Sequence, residues 1–162
     1  MMNDKVKPLI TFCQSNERSI RRHAEGLSNE QSCLQPQFEA ISFNWTLGHI
    51  VHYRVVALQM MGVSFAWDME KTSPYGHNPA GIAGPEDGRS LADLLTALGE
   101  TGRLLEEALL GAAPEVLDEI IQTFFGDQAR VDFVGRLVWH ETYHVGQLGL
   151  LRSLVSSPGG AG

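Results

Sequence analysis

The sequence has little cysteine, no long apolar run and no concentration of positive charge. Its two cysteines, Cys13 and Cys33, are too few for a disulfide framework. No apolar segment approaches the length needed to cross a bilayer, which argues against a membrane partner. The Met-Met-Asn-Asp-Lys start lacks the apolar stretch of a secretion signal, so a cytoplasmic location is expected. Arg21-Arg22 is the one basic pair, and against a net charge of −7 it offers no footprint for nucleic acid. No internal repeat and no strand-like alternation is visible. What is present is an ordinary globular composition, 43% hydrophobic and 19% charged over 162 residues. That length suits one domain with a real core, expected over 1–157, and a frayed Gly-rich tail over 158–162.

Apolar residues recur at helical spacing in four segments. The first runs from about Asp4 to Leu27, with Asn16 and Glu17 interrupting its apolar face. Gly26, the polar Ser28–Ser32 stretch and Pro36 then predict a non-helical linker. Ser42 or Asn44 caps a second helix reaching Met61, with Trp45, His49, Tyr53, Val56 and Met60 on one stripe and His52 beside it. Val63 to Gly88 holds Pro74, His77, Pro79 and Pro85 and reads as a long crossover, which lets the next helix run parallel to the last. Ser90-Leu-Ala-Asp93 opens a third helix that carries Gly99 and Gly102 at some cost and ends by Gly111 and Pro114. A short helical turn and an extended stretch fill Glu115 to Phe125. Gly126-Asp127 then reads as a stop and a cap for a fourth helix over about Gln128 to Val155. The expected fold is all-α, a four-helix bundle with one long crossover between helices two and three.

His140 and His144 stand four residues apart, so they share one face of the last helix. His49 faces inward on the second helix, and bundles build metal sites from side chains on facing helices. Burying three imidazoles without partners is costly, and a metal ion removes that cost. Three neutral imidazoles suit zinc, nickel or iron and leave positions open for water or substrate. His52 and His77 read as ordinary structural histidines, and Cys13 as a small core residue.

Written as H-E-x-x-H, residues 140–144 match a zinc protease motif with Glu141 as general base. A zincin needs a third ligand downstream, and after His144 the sequence has no His, Asp or Glu. A di-iron bundle needs a second E-x-x-H pair and further carboxylates, and these are missing too. A third pattern fits. Asn44-Trp45-Thr46-Leu47-Gly48-His49 together with His140-x-x-x-His144-Val145-Gly146-Gln147 resembles the DinB (YfiT-like) family of metal-dependent proteins. The resemblance covers nearly the whole chain. It implies a bundle with one crossover, a three-histidine divalent metal site at His49, His140 and His144, and a homodimer.

Relatives within that family are largely transferases and isomerases that use low-molecular-weight thiols such as bacillithiol or mycothiol. The resemblance therefore implies a small-molecule reactant and a thiol-dependent transfer. A metal site of this kind holds a thiol as its reactive thiolate. The same site can instead activate water, which leaves a hydrolase as the second reading and a non-catalytic metal-binding bundle as the third. Glu141 points about 100° around the helix from His140, either toward the site as a base or toward solvent. Gln147 stands one turn beyond His144, placed to orient its imidazole. Trp45 and Tyr53 flank His49 as pocket walls or plain core. Arg152 is available to an anionic substrate or to solvent.

Overall fold

The structure is a computed structural model, and it describes residues 4–36, 41–67, 73–76, 82 and 84–156. The tail at 158–162 and His77 lie outside the described residues. Helix α1 spans Val6–Ala24, α2 Asn29–Cys33, α3 Phe43–Met60, α4 Leu91–Gly111, α5 Pro114–Asp118 and α6 Arg130–Ser156. A single turn of 3₁₀ helix at Ser73–Tyr75 lies in the crossover, and strands β1 (Ile120–Thr123) and β2 (Gly126–Ala129) form a hairpin before α6. The four long helices close a ring in which α1 packs on α6, α6 on α3, α3 on α4 and α4 on α1. This is the expected bundle. No helix among the described residues is long and apolar enough to cross a membrane.

Local chemistry sets the helix starts. Ser42 Oγ accepts from Trp45 N–H at 3.1 Å and Ser90 Oγ from Asp93 N–H at 3.1 Å, each satisfying a donor the first turn cannot. The stretch expected as a non-helical linker instead contains α2. Ser28 Oγ accepts from Gln31 N–H while Gln31 Oε1 accepts from Ser28 N–H, a reciprocal cap that starts a short helix. The expectation for Gly126-Asp127 was also wrong. Those residues open β2, with Gly126 at φ +94° closing the turn after Phe124-Phe125, and α6 begins at Arg130.

The core falls into two apolar halves. One gathers Ile20, Trp45, Leu47, Leu94, Leu98 and Leu148, and the other Val6, Ile10, Leu58, Leu105, Phe133 and Leu137. Chain order through the halves makes α1 and α6 run one way and α3 and α4 the other, so the crossover joins two parallel helices. Between the halves lies a layer of buried polar groups: Asn16, Arg54, Thr101, Glu141 and two of the histidines. Asn16 therefore does not interrupt α1; its Nδ2 donates to Thr142 Oγ1 at 3.0 Å, within that layer. Cys13 is buried beside it, and loss of solvent pushes its thiol up to about 12, which leaves it unreactive at neutral pH.

Arg54 ties the layer together. Its Nε and Nη2 donate to the two oxygens of Glu141 at 2.8 Å each, joining α3 to α6. Its Nη1 donates to Leu98 O at 2.7 Å on α4, and Nη2 reaches Cys13 O at 3.4 Å on α1. Burial opposes the charge on Arg54 more than any other single influence. The charge and hydrogen bonds of Glu141 outweigh it and hold the guanidinium above its ordinary value.

Gly102 makes room for this arrangement. A Cβ there would stand 2.7 Å from Arg54 Nη1 and 2.8 Å from Glu17 Oε2. A glycine inside a helix otherwise costs about 0.5–1 kcal/mol relative to alanine. Gly146 of α6 would add a Cβ into open space. Gly146→Ala is thus expected to stabilise by roughly that amount, whereas Gly102→Ala is expected to destabilise by about 1–3 kcal/mol because the locked guanidinium cannot yield. Urea midpoints that moved in the same direction for both variants would contradict this.

Candidate metal centre

Trp45, His49 and Tyr53 follow one another on α3 at i, i+4 spacing, and His140 and His144 do so on α6. The α3–α6 contact sets the two faces against each other. Ring centroids lie 5.2 Å apart for His49 and His140, 4.7 Å for His49 and His144, and 4.4 Å for His140 and His144. One ring nitrogen from each of the three falls within 4.8 Å of the others, and no further His, Cys, Asp or Glu joins the group among the described residues.

The hydrogen bonds settle which nitrogens are available. His49 Nδ1 lies 2.7 Å from Tyr75 O, and a carbonyl can only accept, so Nδ1 carries the proton and Nε2 the lone pair. His144 Nδ1 lies 2.5 Å from Gln147 Oε1, which by the same logic leaves Nε2 as its lone pair. That nitrogen faces His140 Nε2 at 3.0 Å. Two ligands on a metal with bonds of about 2.0–2.1 Å sit roughly 2.9–3.4 Å apart, so this pair has the spacing of adjacent coordination corners. Burial lowers His49 to about 4 despite the opposing bond to Tyr75 O, and the His144 and His140 rings add to the lowering. Burial lowers His144 likewise, against the pull of its bond to Gln147. Both imidazoles are therefore neutral at pH 7, as ligands must be. The donor set is all nitrogen and converging. It fits a divalent ion of the zinc, nickel or iron type.

The crossover is built onto this site. Tyr75 is fully buried, and a Cβ on Gly48 would stand 2.3 Å from its ring, so only glycine beside His49 lets that ring dock against α3. The Tyr75 hydroxyl donates to Asn44 Oδ1 at 3.0 Å and accepts from Arg89 N–H at 2.8 Å. Trp45 Nε1 donates to Pro74 O at 2.5 Å, and its ring stacks on His49 at 4.6 Å. Asn44, Trp45, Gly48 and His49 thus all serve one purpose, holding the 73–76 turn where its carbonyl orients the imidazole.

The remaining sequence candidates separate. Gln147 touches His144, Trp45 covers His49, and Tyr53 packs edge-on to His49 at 4.8 Å and His140 at 5.0 Å. His52 stays outside the cluster. Glu141 neither faces solvent nor turns toward the imidazoles; it is buried, with both oxygens held by Arg54. Arg152 donates to Glu25 O at 3.0 Å, just past α1. Sequence reasoning missed Tyr75, which acts through its backbone, and Phe124 and Phe125, carried by the hairpin it did not see. Those two phenylalanines, with Tyr53, Leu137 and His140, wall a cavity of about 620 Å³.

A family model described as the DinB superfamily matches residues 14–148 of this chain. No curated protein matches it significantly.

The lowered imidazoles predict how the metal-free protein responds to acid. An unfolded chain protonates His49 near 6.5, the folded one only near 4. Between those values the unfolded state binds more protons, so stability present above pH 6.5 is lost as pH falls. Going from pH 7.5 to 4.5 is expected to remove roughly 2 kcal/mol through His49, more with His144 included, and His49→Gln is expected to flatten that share. Chelator-treated protein with equal urea midpoints at the two pH values, and no difference between wild type and variant, would contradict it.

Proposed function

Because the chain belongs to the DinB superfamily, we propose that it is a divalent-metal-dependent enzyme in which His49, His140 and His144 hold the ion and a low-molecular-weight thiol is transferred to a second small molecule. The observation that carries this reading is the convergence of one ring nitrogen from each of three histidines, one of which, His140, also lines a cavity of about 620 Å³. When bound, the cation supplies Lewis acidity that lowers the pKa of a thiol or water reaching it.

The chain's own groups do the rest. Tyr75 O and Gln147 Oε1 accept the Nδ1 protons of His49 and His144 and fix both rings. Trp45 closes one side of His49, and Tyr53, Phe124 and Leu137 supply an apolar wall that excludes water. In the transfer, sulfur bonds to an electrophilic carbon of the second reactant, the leaving group departs with the bonding electrons, and the thiol proton passes to solvent. Thiol transfer is favoured over hydrolysis by the state of Glu141. With both its oxygens on Arg54, no carboxylate among the described residues stands ready beside the imidazoles to take a proton from water. A thiol, with an ordinary pKa of about 8.5, needs far less assistance. Glu141 is a positioning residue in this reading, acting through Arg54 on the register of α3 and α6.

Elemental analysis of protein purified without added metal, followed by a screen of bacillithiol, mycothiol and glutathione against 1-chloro-2,4-dinitrobenzene, tests the proposal. Wild type is expected to carry close to one divalent ion per chain and to show thiol-dependent turnover. His144→Ala is expected to lose the ion and at least about 100-fold in rate. Thiol-independent cleavage of p-nitrophenyl acetate would replace the transferase with a hydrolase. A bound ion with no turnover in either assay would leave a metal-binding bundle.

A further inference from the structure

The cavity beside His140 carries information about the reactant it holds. Two apolar residues of the hairpin turn, Phe124 and Phe125, lean over the bundle, where Phe124 packs edge-on to Phe133 of α6 at 5.3 Å and to Tyr53 of α3 at 6.4 Å. Both rings are more than half exposed, at 62% and 57%, so the hairpin leaves large apolar surface on display at the mouth of the site. A volume of about 620 Å³ lies in the range of small-molecule sites, which pair apolar walls with a few placed polar groups.

Arg136 is the placed polar group. It lies one turn before His140 on α6 and lines the same cavity, where no carboxylate stands among the described residues. Its guanidinium carbon sits 5.4 Å from the centre of the Phe125 ring, which holds its plane without using its hydrogen-bond donors. Asp132, four residues earlier on the same helix, makes no ion pair with it, and neither does any other described residue. Among the described residues it is thus a cation with no carboxylate partner, standing at the exposed edge of an apolar pocket. A second cleft, of about 410 Å³ between α1 and α4, differs in having carboxylates, Glu17 and Glu106, among its walls.

Resting on the metal-centre reading for the reactive end, we propose that the second reactant is an organic anion with a flat apolar body. The body lies against Phe124, Phe125 and Tyr53, its carboxylate pairs with Arg136, and its reactive carbon points toward His140. Arginine suits this role because its planar fork matches a carboxylate through two parallel hydrogen bonds. One helical turn, about 5.4 Å, separates the two anchoring positions along α6, so the anionic group and the reacting carbon lie a few bonds apart.

Binding of 4-phenylbutyrate and of its primary amide to the full-length chain, followed by calorimetry, tests this without an activity assay. The acid is expected to bind wild type at least fivefold more tightly than the amide. Arg136→Gln is expected to bring the two together, and Phe124→Ala to weaken both alike. Equal binding of acid and amide by wild type would overturn the proposal. So would an acid preference that survives Arg136→Gln, since the carboxylate would then be recognised elsewhere. Metal content measured on the same samples separates this from the metal-centre reading. Arg136-dependent preference in protein without bound metal upholds the anion site alone, and bound metal without any preference upholds the metal centre alone.

Discussion

The guanidinium of Arg54 reaches Glu141 on α6, Leu98 O on α4 and Cys13 O on α1 at once, and few relative placements of the four long helices allow all three. Apolar packing alone would tolerate small slips, because leucines at neighbouring turns are interchangeable in shape. A buried, fully hydrogen-bonded cation tolerates none, since each lost partner leaves an unpaired group in a dry core. Such an ion pair adds little net stability over a well-packed apolar substitute, but here it sets register. The register matters because Glu141 is the immediate neighbour of His140, and Arg54 lies five residues past His49. Where the ion pair closes, the imidazoles of α3 and α6 arrive opposite one another. Gly102 is part of the same constraint, giving up its side chain so that the guanidinium can lie against α4.

A second constraint acts from the other side of the site. The crossover that lets α3 and α4 run parallel also returns Tyr75 to α3, and its carbonyl fixes the His49 tautomer. The W-x-x-G-H segment therefore reads as one device. Trp45 holds Pro74 O, Gly48 admits the Tyr75 ring, and His49 receives the result. On α6 the corresponding task falls to Gln147, one turn from the histidine it orients. Both orienting contacts leave Nε2 as the lone-pair nitrogen of His49 and His144, the arrangement that metal-ligating histidines use.

What was legible in the sequence follows from how local each cause is. Ser42 and Ser90 announced their helices because a cap is written within four residues. His140 and His144 announced a shared face because helical spacing is equally local. The reciprocal cap of Ser28 and Gln31 was just as local and was overlooked in a stretch that read as polar linker. The hairpin was harder, because strands of four residues show little alternation and Gly126-Asp127 has the same signature as a helix stop and cap. The Arg54–Glu141 pair spans 87 residues, and nothing in one sequence links its halves. Tyr75 contributes a backbone carbonyl, which leaves no trace in residue identity.

The account stands on His49, His140 and His144 ligating one ion through Nε2. Crystals of metal-loaded protein, with anomalous data collected at the zinc and nickel absorption edges, test that most directly. One anomalous peak is expected among the three rings, at about 2.0–2.1 Å from each Nε2, with Nδ1 of His49 still on Tyr75 O. A peak elsewhere in the molecule, or an ion held through Nδ1 of either oriented ring, would contradict it.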